Sequence, residues 1–101
     1  MPGQAFIPVA TQGWDRRPWE AKNGEGFGNG AQVSWYFDKG TPEQFGGLLE
    51  RLATWMEANP AAVTKDRLAV IYAWNEIGEG GWLVPCKDDP DGAYLKAIRK
   101  V

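Results

Sequence analysis

At 101 residues the chain is one domain or part of one, and 44% hydrophobic with 24% charged residues is a globular composition rather than a disordered one. A net charge of −2 leaves no electrostatic case for nucleic acid or an anionic membrane surface as a partner. With no histidine and one cysteine, Cys86, the sequence holds no Ser–His or Cys–His triad, imidazole metal site, cysteine metal cluster or internal disulfide, and no metal or other cofactor is expected.

Acid–base chemistry must therefore rest on carboxylates, lysines or tyrosines. The opening MPGQAFIPVA lacks the basic start and long apolar stretch of a signal peptide. The longest apolar run, Leu68 to Trp74, is too short to span a bilayer. Both features read as a soluble chain with no export signal of its own. Its destination stays open.

Phe6 to Thr11 reads as a short buried strand, weakened by Pro8, which has no N–H to give a ladder. It runs into Gly13-Trp14-Asp15 and then a polar stretch in which Gly24, Gly26, Gly28 and Gly30 alternate. That composition predicts a flexible loop over residues 20–34. Gly26, Gly28 and Ala31 formally match a dinucleotide fingerprint, but no strand precedes them directly and no helix pattern opens from them.

Thr41-Pro42-Glu43-Gln44 carries the marks of a helix start: a capping threonine, a proline at the first helical position and a glutamine that completes a capping box. Phe45, Leu48, Leu49, Leu52, Trp55 and Met56 then form one apolar face, and Asn59-Pro60 ends the pattern. Leu68 to Trp74 reads as a strand apolar on both faces, the kind that belongs to helix-covered parallel sheets. Asn75 to Pro85 is expected to be a loop. Asp89-Pro90-Asp91 opens a last helix, with Tyr94, Leu95 and Ile98 inward and Lys96, Arg99 and Lys100 outward.

Strand, long loop, helix, strand, loop, helix makes two βα units of an α/β fold. Two strands alone leave two open sheet edges, and a barrel needs eight such units in about 250 residues. The fold class expected is thus the C-terminal βα units of a (β/α)₈ barrel, incomplete as given, with residues 1–101 one part of a single domain. The missing strands would come from the same parent polypeptide.

In α/β folds, sites form at the carboxyl ends of strands. Ala73-Trp74-Asn75-Glu76-Ile77-Gly78-Glu79 stands at such an end. Glycoside hydrolysis needs a pair of carboxylates, and Glu76 with Glu79 could supply it. Solvated loop charges are the other reading, because surface glutamates are common. Asn75 could orient one carboxylate or bind a sugar hydroxyl. Trp74 and Trp82 could wall a pyranose ring. Six tryptophans, at positions 14, 19, 35, 55, 74 and 82, suit either sugar stacking or packing.

AWNEIGEGGWLVP followed by DGAYLKAIRK resembles the closing strand, loop and helix of the endo-α-mannosidase-like barrels, glycoside hydrolase family 99. It is also similar to WbsX-type proteins of bacterial polysaccharide loci, often labelled glycosyltransferases. FIPVATQGWDRRP looks like a preceding strand of the same barrels, which ends in Gly-Trp-Asp, so Trp14 and Asp15 join the candidate substrate-binding residues. The resemblance covers most of the chain apart from the glycine-rich loop. It implies retaining cleavage of an α-linked, mannoside-like oligosaccharide or polysaccharide without a metal. In its terms Glu76 deprotonates a sugar 2-hydroxyl and Glu79 serves as general acid, then base.

Three departures stand out. Ile77 sits where the family is usually aromatic, Val84 where it often has glutamate, and Arg16-Arg17-Pro18-Trp19 replaces its usual continuation. Asp15 could instead hold Arg16 or a neighbouring loop in an ion pair. A carbohydrate-binding or polysaccharide-assembly protein without hydrolysis, and an inactive fragment, are the alternative functions.

Overall fold

Helix α1 (Pro42–Ala58) forms where the capping signals placed it. The Gln44 amide donates to Thr41 Oγ1 at 3.1 Å, and the Thr41 amide donates to Gln44 Oε1 at 2.8 Å. Two otherwise orphaned donors are thereby satisfied, a contribution of about 1 kcal/mol. At the other end the Asn59 side chain donates to the Trp55 carbonyl at 2.8 Å and closes the last turn. Phe45, Leu49 and Met56 are buried, with Leu48 and Leu52 half-buried beside them. Trp55 lies at the margin of this face, where its ring meets Phe6 at 5.7 Å.

The computed structural model describes residues 3–15, 17 and 36–101. The loop expected over 20–34 lies outside them, as do Arg16, Trp19 and Trp35. Strand β1 (Val9–Thr11) pairs in parallel with β2 (Val70–Tyr72), Val9 opposite Val70, Ala10 opposite Ile71 and Thr11 opposite Tyr72. Both strands are shorter than the sequence suggested. Pro8 contributes only its carbonyl, which accepts from the Val70 amide at 2.9 Å, and Phe6 makes a separate bridge to Val63.

Ala10 is buried and Ile71 half-buried on one face of this pair. On the other, Val9 and Val70 are 66% and 49% exposed. Leu68 to Trp74 was expected to be covered on both sides; among the described residues only one side is. The apolar core is Ala10, Phe45, Leu49, Trp82, Leu83 and Tyr94. Tyr94 links its halves, 6.0 Å from the Phe45 ring and edge-on to Trp82 at 5.4 Å.

Tyr94 belongs to helix α2 (Ala93–Lys100), which packs on α1. The Asp89 carboxylate accepts from the Ala93 amide at 2.9 Å and the Tyr94 amide at 3.4 Å, so it covers the positive end of the helix. Among the described residues the result is a mixed α/β arrangement of two helices and small sheets. No helix among the described residues is long and apolar enough to cross a membrane.

The segment expected to be a loop after β2 is more ordered than that. Asn75–Glu76 (β3) pairs antiparallel with Gly81–Trp82 (β4) across a single 3₁₀ turn, Ile77–Glu79. Gly80 closes the turn at φ 73°, a left-handed conformation that costs glycine nothing.

Candidate active site

β1 and β2 run in parallel, so the residues that follow them, 12–15 and 73–76, emerge at the same end of the sheet. The β3–β4 hairpin stands over that end, and three contacts fix its turn there. The Asp15 amide donates to the Glu79 carbonyl at 2.6 Å. The Trp14 indole N–H donates to Glu79 Oε2 at 3.3 Å. The Tyr72 hydroxyl donates to that same oxygen.

Gly81 makes the last contact possible. A β-carbon there would lie 2.6 Å from Tyr72 Cε1 and 3.0 Å from Cδ1, so the ring rests directly on the glycine backbone. The hydrogen bond to Glu79, then burial and the negative charges of Glu79 and Glu76, push the Tyr72 phenol up to about 12. Tyr72 thus stays a proton donor at any physiological pH.

Lys39 holds the turn from another side. Its Nζ donates to the Gly80 carbonyl at 3.0 Å and the Trp82 carbonyl at 3.3 Å. The ammonium also lies 3.7 Å from the centre of the Trp82 ring and 4.5 Å from that of Tyr94. Burial lowers the Lys39 amine to about 8, although Cys86 and Asp89 act to keep its charge.

The residues singled out from the sequence separate into two groups. Trp14 and Glu79 meet directly. Glu76 and Asn75 occupy the exposed β3 strand, and Trp74 beside them is 54% exposed. Trp82 is largely buried, 7% exposed and packed between Lys39 and Tyr94, with its remaining edge on the groove beside the turn. Its place in β4, opposite Asn75, turns it into the hydrophobic base of the hairpin.

Asp15 is an ion-pair residue, and its partner is Arg17. Oδ1 accepts from Arg17 Nε at 2.8 Å and Oδ2 from Nη2 at 2.6 Å, a two-pronged geometry that occupies both carboxylate oxygens. The Arg17 hydrogen bonds hold the Asp15 carboxyl below its ordinary range. The guanidinium meanwhile covers the Tyr36 ring at 3.5 Å.

A groove of about 670 Å³ runs beside the turn, lined among others by Trp14, Asp15, Lys39, Ile77 and Tyr94. Glu76 and Glu79 are not among its lining residues. Among the described residues no three carboxylate or thiol groups converge as a metal site would require.

Tyr72 and Lys39 are the two site residues that sequence reasoning passed over. Tyr72 carried a signal, since a tyrosine at the last position of an apolar strand brings a hydroxyl that needs a partner. Lys39 carried none. No protein-family model matches this chain, and neither a curated protein nor a solved structure matches it.

Proposed function

We propose that this chain is part of a carbohydrate-active (β/α)₈ barrel that cleaves α-linked, mannoside-like glycosides with retention, using Glu76 and Glu79 and no metal. One observation carries the reading: Glu79 is gripped by Trp14, just beyond the carboxyl end of one parallel strand, and by Tyr72, at the end of the next. A carboxylate held by two donors is oriented before substrate arrives, and that orientation is what acid–base catalysis requires of it. Glu79, carrying its proton on Oε1, the oxygen that neither donor occupies, would protonate the departing oxygen and then, as the carboxylate, take a proton from the attacking water. Glu76, on the neighbouring exposed strand, would draw the proton from the sugar 2-hydroxyl. Trp74, which is more than half exposed, would stack on the sugar, and Asn75 would bind a hydroxyl.

The remaining strands would supply the walls that Glu76 and Glu79 lack. The exposed Val9 and Val70, side by side in register, suit a barrel interior that other strands complete. The test is kinetic, on the complete barrel. Glu79→Gln should abolish turnover of a substrate with a poor leaving group while sparing one whose leaving group needs no proton. Undiminished turnover of the poor-leaving-group substrate would sink the assignment.

A second reading has its own support. Both protein donors fall on the same Glu79 oxygen, an arrangement that also suits a fixed acceptor in a carbohydrate-binding protein without hydrolysis. Glycan binding that survives Glu79→Gln, with no cleavage by the parent, would favour it.

A further inference from the structure

Lys39 stands between the segment that carries Trp14 and the turn that carries Glu79. Its backbone packs so closely on Gly13 that a β-carbon there would come within 2.8 Å of Lys39 Cα. Its Nζ reaches the carbonyls of Gly80 and Trp82, on either side of the glycine that supports the Tyr72 ring. We propose that Lys39 is a positioning residue for Glu79: its ammonium ties the hairpin to the 12–15 segment and so sets where the carboxylate meets Trp14 and Tyr72.

Hydrogen bonds from a cation are roughly twice as strong as neutral ones, and this cation makes two, to backbone atoms that bracket one residue. The faces of Trp82 and Tyr94 attract the same charge, and both rings are fixed in the core, so the strut is anchored at its base. Partial burial lowers the local dielectric and strengthens each of these terms, the same burial that draws the amine down to about 8. Around the ammonium, Asp89 and Cys86 favour its charge, Tyr94 presents its ring, and Asp15, Arg17, Asp38 and Asp88 line the groove with it.

The role rests on the proposed function only for what Glu79 does; the clamp itself is read without substrate. The experiment follows the Trp14 indole N–H by NMR in the full chain, because that proton reports its bond to Glu79. In Lys39→Met, which keeps an unbranched stem and removes the charge, the resonance should shift and its hydrogen exchange should quicken about tenfold, the order one lost hydrogen bond allows. Lys39→Arg should restore much of the wild-type signal. A folded Lys39→Met with an unmoved Trp14 signal would overturn the proposal.

Should Lys39→Met not fold, the wild-type chain decides alone. Neutralising Lys39 near pH 8 weakens the clamp from charged to neutral hydrogen bonds, so the Trp14 signal should move with that titration. A flat Trp14 signal across the Lys39 midpoint overturns the proposal. Either result stands apart from the Glu79→Gln kinetics, which can fail while the clamp holds.

Discussion

Tyr72 reaches Glu79 across the width of the hairpin because residue 81 has no side chain. The phenol ring fills the space a β-carbon would take, and its hydroxyl closes on the carboxylate that the Trp14 indole also holds. The pairing joins the end of a half-exposed strand to the last residue of a surface turn. It thereby converts a flexible-looking segment into a placed carboxylate.

Tyr72→Phe should keep the ring on Gly81 and lose only the donor. A bond to a charged acceptor at a part-buried site is worth about 1–2 kcal/mol, so the variant should unfold earlier in denaturant with an unchanged slope. Equal denaturation midpoints would show that the hydroxyl contributes nothing.

Gly81→Ala is the steric counterpart. Its methyl would stand 2.6 Å from a ring carbon, closer than real contacts allow, so the ring or the strand must move. A cost of about 1–3 kcal/mol is expected, with the Tyr72 phenol returning toward the ordinary tyrosine range. Phenolate absorbance against pH, read beside a thermal melt, checks both.

The pH dependence of stability should turn over. Lys39 titrates near 8 in the folded chain against 10.5 ordinarily, so between those values the unfolded state binds more protons and stability rises with pH. The cost of the buried charge weighs fully below pH 8 and is gone above 10.5; discounted for its partial exposure, the rise is about 1 kcal/mol. Tyr72 acts the opposite way. Its raised value means its stabilisation is complete below pH 10 and lost as pH climbs to about 12, and Tyr94, raised chiefly by burial, adds to that loss. Denaturation at a series of pH values should find a maximum near pH 10; a monotonic fall from pH 8 would contradict the Lys39 assignment.

What the sequence conveyed about this arrangement depended on range. Helix α1 was legible because its cap, its proline and its apolar stripe are all local, and the same holds for the Asp89 start of α2. The parallel strands were legible as apolar runs, but not their exposed face, since an apolar residue looks alike whether or not something covers it. Glu79 was found from its spacing to Glu76. Of its partners, Tyr72 stands only seven residues away but read as one more apolar strand residue, whereas Trp14 lies 65 residues away; Lys39, which clamps the turn, is 41 residues off. The burial of Trp82 was hidden for the same reason: nothing nearby in sequence says that Tyr94 lies against it.

Asp89→Ala should test the helix start in isolation. It strips two backbone donors of their acceptor at the first turn of α2, whose Tyr94 belongs to the core. A loss of about 1 kcal/mol is expected, with Asp89→Asn retaining part of it. An unchanged melt would mean that packing of Tyr94 alone holds the helix.

The exposed pair Val9 and Val70 decides how this chain behaves by itself. Two apolar side chains in register, on a sheet that is two-stranded with both edges open among the described residues, make a surface that favours association over solvation. Size-exclusion chromatography with light scattering, paired with a thermal melt, should find self-association that Val70→Lys relieves, since a charge on that face opposes stacking of sheets. A monodisperse wild-type monomer with a cooperative melt would mean that the two βα units close a sufficient core of their own. Strands from elsewhere would then not be needed to complete the fold, and the barrel-segment reading would lose its main physical support.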